Sequence, residues 1–258
     1  MLFINTRPED RAVNLTQALL EVGHQVINLP LLELVAEPFS GHLRELYQQL
    51  EQVQVIVVVS PTAVDVGMQY LQQQKISLDQ LKHVQWIAVG QATAQALAKF
   101  DIDSHIPEVE NSEGMLELPI LNQQVHLDKV AFWRGLGGRQ FMMQQLQQQG
   151  VEILNFVLYR RQCPIQSVTL FPKILKKIMP SQPVMVLISS EASWNNWQQL
   201  CGQNNMDAKW IYLALGDRLA QLLKNARLQT HQEINIIQLD NLSISEIIQR
   251  IGAWQGRI

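Results

Sequence analysis

A chain of 258 residues, 47% hydrophobic and only 17% charged, is long and apolar enough for one large core or two ordinary ones, which excludes a disordered polypeptide. Its formal net charge of -3 offers no bulk attraction to nucleic acid or to an anionic membrane, so a polyanionic ligand has to be met locally, by backbone dipoles or a few placed cations. Cys163 and Cys201 form no CxxC, and none of the six histidines stands at a metal-ligand spacing. No metal site is expected, and the cysteines read as reduced and structural, which suits a cytoplasmic protein.

The first residues, MLFINTRPED, hold too few apolar positions before Arg7 for a signal-peptide core. From there a short apolar run followed by a helical pattern repeats along the chain. LFINT (2–6) precedes RAVNLTQALLEVG, whose apolar residues recur at helical spacing up to Gly23, and HQVINLP forms a second strand. VQVIVVVS (53–60), VQWIAVG (84–90), KVAFWRG (129–135), VEILNFVLY (151–159), VMVLISS (184–190), KWIYLALG (209–216) and INIIQL (234–239) complete the strand set. These runs are strand-sized, far below a ~20-residue membrane span. They are continuous rather than alternating, which marks parallel strands covered on both faces.

So many buried strands suit two sheets better than one. An internal echo agrees: VVVSPTAV followed by AVGQATAQALAKF resembles LISSEASW followed by ALGDRLAQLLKNA. LPLLELVAEP (29–38) and FVLYRRQCP (156–164) are extended, end at proline and serve as crossing points. The expected layout is two similar parallel-sheet α/β domains joined by a two-stranded β-ladder, with linker strands near 31–37 and 156–164. Residues 1–37 with 165–258 form a discontinuous first domain, and 38–160 an inserted second one. The alternative is one sheet with two long loops.

In open α/β sheets ligands bind beyond the carboxyl ends of the strands. The turns there are Asn5-Thr6-Arg7, Ser60-Pro61-Thr62, Gly90-Gln91-Ala92-Thr93, Arg134-Gly135 within RGLGGR, Ser189-Ser190 and Gly216-Asp217-Arg218. Small residues expose backbone N–H groups, and helix dipoles favour negative charge, so these turns suit anions; each serine or threonine also suits plain helix capping. RGLGGR lacks the G-x-G-x-x-G spacing, the next strand ends without a ribose-binding acid, and no Walker lysine is present, which weakens a nucleotide reading. Arg134 and Arg139 fit carboxylate or phosphate recognition better. No nucleophile elbow or cysteine–histidine pair exists, so an enzyme of this sequence orients a reactive substrate more than it attacks one. Tyr159 stands on a crossing strand, where its hydroxyl either donates a proton to a leaving oxygen or tips a packing ring.

These residues resemble the uroporphyrinogen-III synthase family. The likeness covers the strand leading into TRPE, PLLE, VVVSPTAV, AVGQATAQAL, RGLGGRQFMMQQLQQQGVEILNFVLYRR and ISSEASWNNW, in order over essentially the whole chain. It implies a cofactor-free lyase of tetrapyrrole biosynthesis that closes hydroxymethylbilane, with loss of water and inversion of the last ring, through a spiro intermediate. It implies two α/β lobes with the substrate between them. The expected partners are that small molecule and, by hand-over, hydroxymethylbilane synthase, but neither nucleic acid nor membrane, and the chain is expected to be a monomer. The family's tyrosine falls on Tyr159, the catalytic candidate. Its Ser-Pro turn falls on Ser60, Pro61 and Thr62, and its Gly-x-x-Thr turn on Gly90 and Thr93, with Gln91 and Ala92 between. Arg7, Arg134, Gly135, Ser189, Ser190, Gly216 and Arg218 complete the substrate-binding candidates. Where the family often has a second threonine this chain has Leu219, which shifts that turn to backbone or Arg218 contacts. The competing reading is a two-lobed anion-binding protein without catalysis, which would need an export signal or a DNA-binding headpiece.

Overall fold

The computed structural model describes residues 1–122, 126–179, 182–202, 208–230 and 235–256. Its strands are β1 (Leu2–Asn5), β2 (Gln25–Asn28), β3 (Glu33–Ala36), β4 (Val55–Val58), β5 (Gln85–Ala88), β6 (Lys129–Gly135), β7 (Glu152–Gln162), β8 (Pro183–Ile188), β9 (Lys209–Leu215) and β10 (Asn235–Leu239). The longer helices are α1 (Glu9–Glu21), α2 (Gly41–Gln48), α3 (Pro61–Gln73), α4 (Gln91–Ala98) and, after the short α5 (Ser112–Leu116) and α6 (Pro119–Asn122), α7 (Phe141–Gln148). They continue with α8 (Ile165–Leu175), α9 (Glu191–Gly202), α10 (Gly216–Thr230) and α11 (Ile244–Gln255). Ile234, the expected start of the last strand, and His231 lie outside the described residues. The chain divides into two compact units, residues 1–33 with 162–258, and residues 34–161.

The first unit holds a five-stranded sheet in the order β10-β9-β8-β1-β2. Its pairs are parallel, with Leu2 opposite both Gln25 of β2 and Val184 of β8. Parallel neighbours need long crossovers, and here the crossovers are helices that cover both faces. Side chains alternate between those covers. Ile4, Val184, Val186 and Ile188 pack with Phe171 of α8, Trp197 of α9 and Leu223 of α10. Phe3, Met185, Leu187, Ile211 and Leu213 pack with Leu15 and Leu19 of α1 and with Ile247 and Ile251 of α11. Both sets gain from burial, at ~1.5–3 kcal/mol per large apolar side chain, so neither face can be polar and the strands read as unbroken apolar runs.

The second unit holds another five-stranded sheet, ordered β3-β7-β6-β4-β5. The pairs β4–β5, β4–β6 and β6–β7 are parallel. One face carries Ile56, Val58, Trp86 and Trp133 against α2, α3 and α4, where Tyr47 donates its hydroxyl to the Gly67 carbonyl at 3.0 Å. The other carries Val55, Val57, Ile87 and Phe132 against Met115 of α5 and Met142, Met143 and Leu146 of α7. Two separate sheets replace the single-sheet alternative. In each, one β-α-β-α run (β8-α9-β9-α10, or β4-α3-β5-α4) winds outward on one side, and a β-α-β pair (β1-α1-β2, or β6-α7-β7) winds outward on the other.

One stretch differs from its expected form. The strand expected at 151–159 and the crossing segment expected at 156–164 are a single strand, β7, of 11 residues. It follows β6 until Tyr159 stands opposite Gly135, with a register shift at Arg134 and Gly135, and on its other side the Leu158 carbonyl accepts the Glu37 N–H at 2.8 Å. Leu154, Phe156 and Leu158 bury one face of this strand throughout, so nothing in its packing marks a break at residue 156.

Candidate active site

In the second sheet β4 and β6 are neighbours, but the chain leaves them in opposite directions, towards β5 and towards β7. Loops that diverge from adjacent strand ends leave a crevice, the usual ligand position of such sheets. A cavity of about 260 Å³ lies at this point. Val59, Val89, Phe132, Met115, Met142 and Met143 give it apolar walls, and Arg134, Tyr159, Arg139 and Arg161 supply polar groups.

Tyr159 is 2% exposed, and its hydroxyl lies 2.9 Å from Ser60 Oγ. Ser60 also caps α3, its Oγ accepting the Ala63 N–H at 3.2 Å. A hydroxyl has one proton and two lone pairs, so Ser60 can accept from Ala63 and still give its proton to Tyr159. The phenolic proton is then available to a ligand oxygen. Gly135 makes this placement feasible: a Cβ there would stand 2.6 Å from Tyr159 Cζ. The Arg161 guanidinium lies over the same ring, 5.9 Å from its centroid.

Arg134 is 5% exposed. One of its terminal nitrogens donates to the carbonyls of Gly138 at 2.8 Å and Gly137 at 3.4 Å, while the other lies 3.9 Å from Met143 Sδ. Burial draws its pKa down from the ordinary guanidinium value, opposed by the nearby Tyr159 oxygen. Among the described residues no carboxylate pairs with it. Arg139, by contrast, is committed to Glu113 of α5 through a forked contact of 2.6 and 3.3 Å. Hydrogen bonding from Arg139 in turn holds the Glu113 carboxyl below its ordinary pKa.

The Gly90–Thr93 turn already holds an anion. The Gln91 N–H donates to Glu110 Oε1 at 2.8 Å, and a Cβ on Gly90 would stand 2.3 Å from that carboxyl group. Only glycine lets the carboxylate seat against the start of α4. Thr93 is buried within the first turn, while Gln91 and Ala92 are exposed. At the α3 turn Pro61 is exposed and Thr62 half-buried.

Arg134, Gly135 and Tyr159 thus line one cavity, with Ser60 bonded to the Tyr159 hydroxyl and Val89, beside the Gly90 turn, in its wall. Arg7, Ser189, Ser190, Gly216 and Arg218 belong to the first unit. The Arg7 N–H donates to Asn5 Oδ1 at 3.3 Å, and Thr6 gives its hydroxyl to the Leu187 carbonyl. Ser189 is half-buried; Ser190 caps α9, its Oγ accepting the Ser193 N–H at 3.1 Å. Gly216 opens α10 with φ 74°, and Arg218 pairs with Glu191 in the open. Asp217 accepts a hydrogen bond from Gln238 at 2.7 Å, and Leu219 is buried in the core, so that turn offers no side-chain hydroxyl. Arg161 and Glu110 escaped the sequence reading. YRR does contain the first, but nothing local shows which arginine turns to the cavity. Among the described residues no group of His, Cys, Asp and Glu gathers at metal distance, and no helix is long and apolar enough to cross a membrane.

Comparison with known proteins adds a family to this geometry. The model of a family described as uroporphyrinogen-III synthase HemD matches residues 13–234. The curated uroporphyrinogen-III synthase of Proteus mirabilis is 29% identical over 163 residues, which cover 62% of this chain and 80% of that protein. Among solved structures, a mutant uroporphyrinogen III synthase of Thermus thermophilus matches with a TM-score of 0.64 at 14% identity, covering 100% of both chains. The uroporphyrinogen-III synthetase of Helicobacter pylori matches with a TM-score of 0.57 at 12% identity over 98% of each chain. At such identities the structural likeness speaks for the two-sheet α/β fold.

Proposed function

The chain belongs to the uroporphyrinogen-III synthase family, and from that premise we propose that it is a cofactor-free lyase closing hydroxymethylbilane to uroporphyrinogen III. The observation that carries the catalytic part is the Tyr159 hydroxyl, held by Ser60 beside an arginine-bearing cavity at the strand ends. Hydroxymethylbilane is a linear tetrapyrrole with eight carboxylates and a hydroxymethyl group on its first ring. Tyr159 donates its proton to that hydroxyl, the C–O bond breaks, and water leaves. The electron-rich pyrrole takes up the resulting positive charge as an azafulvene. The substituted carbon of the last ring attacks its methylene carbon, giving a spiro intermediate. That intermediate fragments and recloses with the last ring inverted, losing a proton, and Tyr159 is reprotonated.

The uncatalysed competitor is direct closure without inversion. The protein therefore has to hold a flexible chain in the conformer that leads to the spiro centre, a task of orientation, which can supply several kcal/mol. Amides at strand-to-helix turns, such as those at Ser60–Thr62, Ser189–Ser190, Gly216 and, once Glu110 is displaced, Gly90–Thr93, grip carboxylates for this purpose without a basic surface. Arg7 and Arg134 add charge at chosen points, and Arg218 does so once it exchanges Glu191 for a substrate carboxylate. A cytoplasmic address, a monomeric state and hand-over from hydroxymethylbilane synthase go with this reading.

The test is incubation of the purified chain with freshly prepared hydroxymethylbilane, followed by oxidation and separation of the porphyrin isomers. Type III product above the blank is expected. Type I alone, as in the blank, would overturn the proposal and leave the anion-binding reading.

A further inference from the structure

The cavity beside Tyr159 combines features that a water-filled cleft has no need of. Its walls are apolar and rich in methionine, a side chain that adapts to flat aromatic rings. Arg134 enters it as a buried guanidinium whose acceptors among the described residues are all neutral: two backbone carbonyls and a thioether sulfur. A buried charge is costly unless it meets an opposite one. Arg161 borders the same space from β7, exposed and stacked over the Tyr159 ring, with no carboxylate partner among the described residues. Arg139 is already neutralised by Glu113. Among the described residues, two cations at this cavity therefore lack counter-charges.

Size and charge together select the ligand. A volume of about 260 Å³ is below the ~300–1,000 Å³ of sites that enclose a drug-sized molecule, so a whole tetrapyrrole does not fit but one ring does. Eight carboxylates shared among four rings give two per ring, which equals the number of uncompensated arginines.

We infer that this cavity takes one pyrrole ring of the substrate, with one carboxylate arm on Arg134 and the other on Arg161. The inference rests on the tetrapyrrole reading above and names the part of the ligand that enters this cavity. The ring lies against Met115, Met142 and Met143. Its first carboxylate takes the place of the Gly137 and Gly138 carbonyls on Arg134, a planar fork that matches a carboxylate in two bonds. Binding thus loosens the RGLGGR turn from its own arginine.

The experiment titrates the full chain by calorimetry with a monopyrrole carrying one acetate and one propionate arm, with its neutral dimethyl ester, and with inorganic phosphate. The diacid should bind about tenfold or more tightly than either comparator, the gain expected from charge-assisted contacts. Arg134→Met and Arg161→Met should each lose a comparable factor. Met keeps much of the Arg134 volume, thermal melting verifies the fold, and Arg161 is exposed, so its replacement spares the core. Equal binding of diacid and diester, equal binding of phosphate, or undiminished diacid binding by a folded Arg134→Met would each overturn the inference. If the wild type makes type III product and the diacid is not preferred, the pocket assignment alone falls. If no type III product forms, the tetrapyrrole reading falls, and diacid binding that Arg134→Met abolishes still supports the pocket.

Discussion

Replacing Tyr159 with Phe removes one oxygen and leaves the ring. The ring's place in the core cluster that holds Phe156 and Leu158, and its close approach to Gly135, survive the change. The lost contact is the 2.9 Å hydrogen bond to Ser60, a half-buried residue whose Oγ keeps the Ala63 N–H as a partner, so its freed O–H can turn to solvent. The stability cost is therefore that of one ordinary hydrogen bond, about 0.5–1.5 kcal/mol, or a few degrees in melting temperature for a chain of this size. A positioned general acid contributes far more to rate, roughly 10²–10⁴-fold. Tyr159→Phe should thus fold normally, form type III product at least about a hundredfold more slowly, and release more type I by default. Stopped-time assays on fresh hydroxymethylbilane, with isomer separation and a parallel thermal melt, measure both quantities. Ser60→Ala is the companion: it loses the cap as well, about 0.5–2 kcal/mol, yet keeps the phenol, so it should melt lower and react faster than Tyr159→Phe. A type III rate within about threefold of wild type in Tyr159→Phe lies far below the effect of a general acid and would refute the proton-donor role.

Three further outcomes are expected. Glu110→Gln removes the charge seated at the start of α4, where it would compete with a substrate carboxylate; KM should fall roughly two- to fivefold, the worth of a charge at a helix terminus, and a raised KM would mean that Glu110 helps to bind substrate. Gly67→Ala places a Cβ 2.2 Å from the Trp133 ring between buried elements, so overpacking should cost about 1–3 kcal/mol or more, and an unchanged denaturation midpoint would contradict the packing. Cys201, whose thiol is pushed up to about 12 by burial, should react with a thiol reagent at pH 8 more slowly in the native protein than after unfolding, and Cys163, raised by burial and by Glu33, should label before it; equal native rates would contradict the burial of Cys201.

Most of the fold was legible because burial on both faces of a parallel sheet leaves little freedom of sequence. VIVV in β4 and PVMVLI in β8 can only be interior strands, and Ser60 before Pro61 is a helix start that the structure uses as such. The unity of β7 was harder to see, since LYRRQ turns polar where the strand continues past its cover. Tyr159 was visible as a rare residue on that strand, but its partner Ser60 stands 99 positions away, joined only by the register of β4, β6 and β7. Glu110 is a similar case. Helix dipoles and a glycine announce that the Gly90 turn suits an anion, yet no local pattern tells that the anion comes from the chain itself, 19 residues on from Gln91. Charge state was equally hidden: Arg134 and Arg139 look alike in RGLGGR, and only burial and Glu113 separate a bare cation from a neutralised one.

The order in which the sheets are completed during synthesis follows from the pairing of Leu2 with Val184. Every strand of the second sheet leaves the ribosome before β8 exists, so that unit can close while the first one is still a single β-α-β piece with an open edge. At 5–20 residues per second, β1 waits roughly 10–35 s for its central neighbour. Throughout that time an apolar strand edge stands unpaired, the kind of surface on which chains aggregate or exchange strands. Folding yield in the cell should therefore depend on translation speed across the segment from β7 to β8 and on chaperones that shield nascent β1, more than on the stability of either finished sheet.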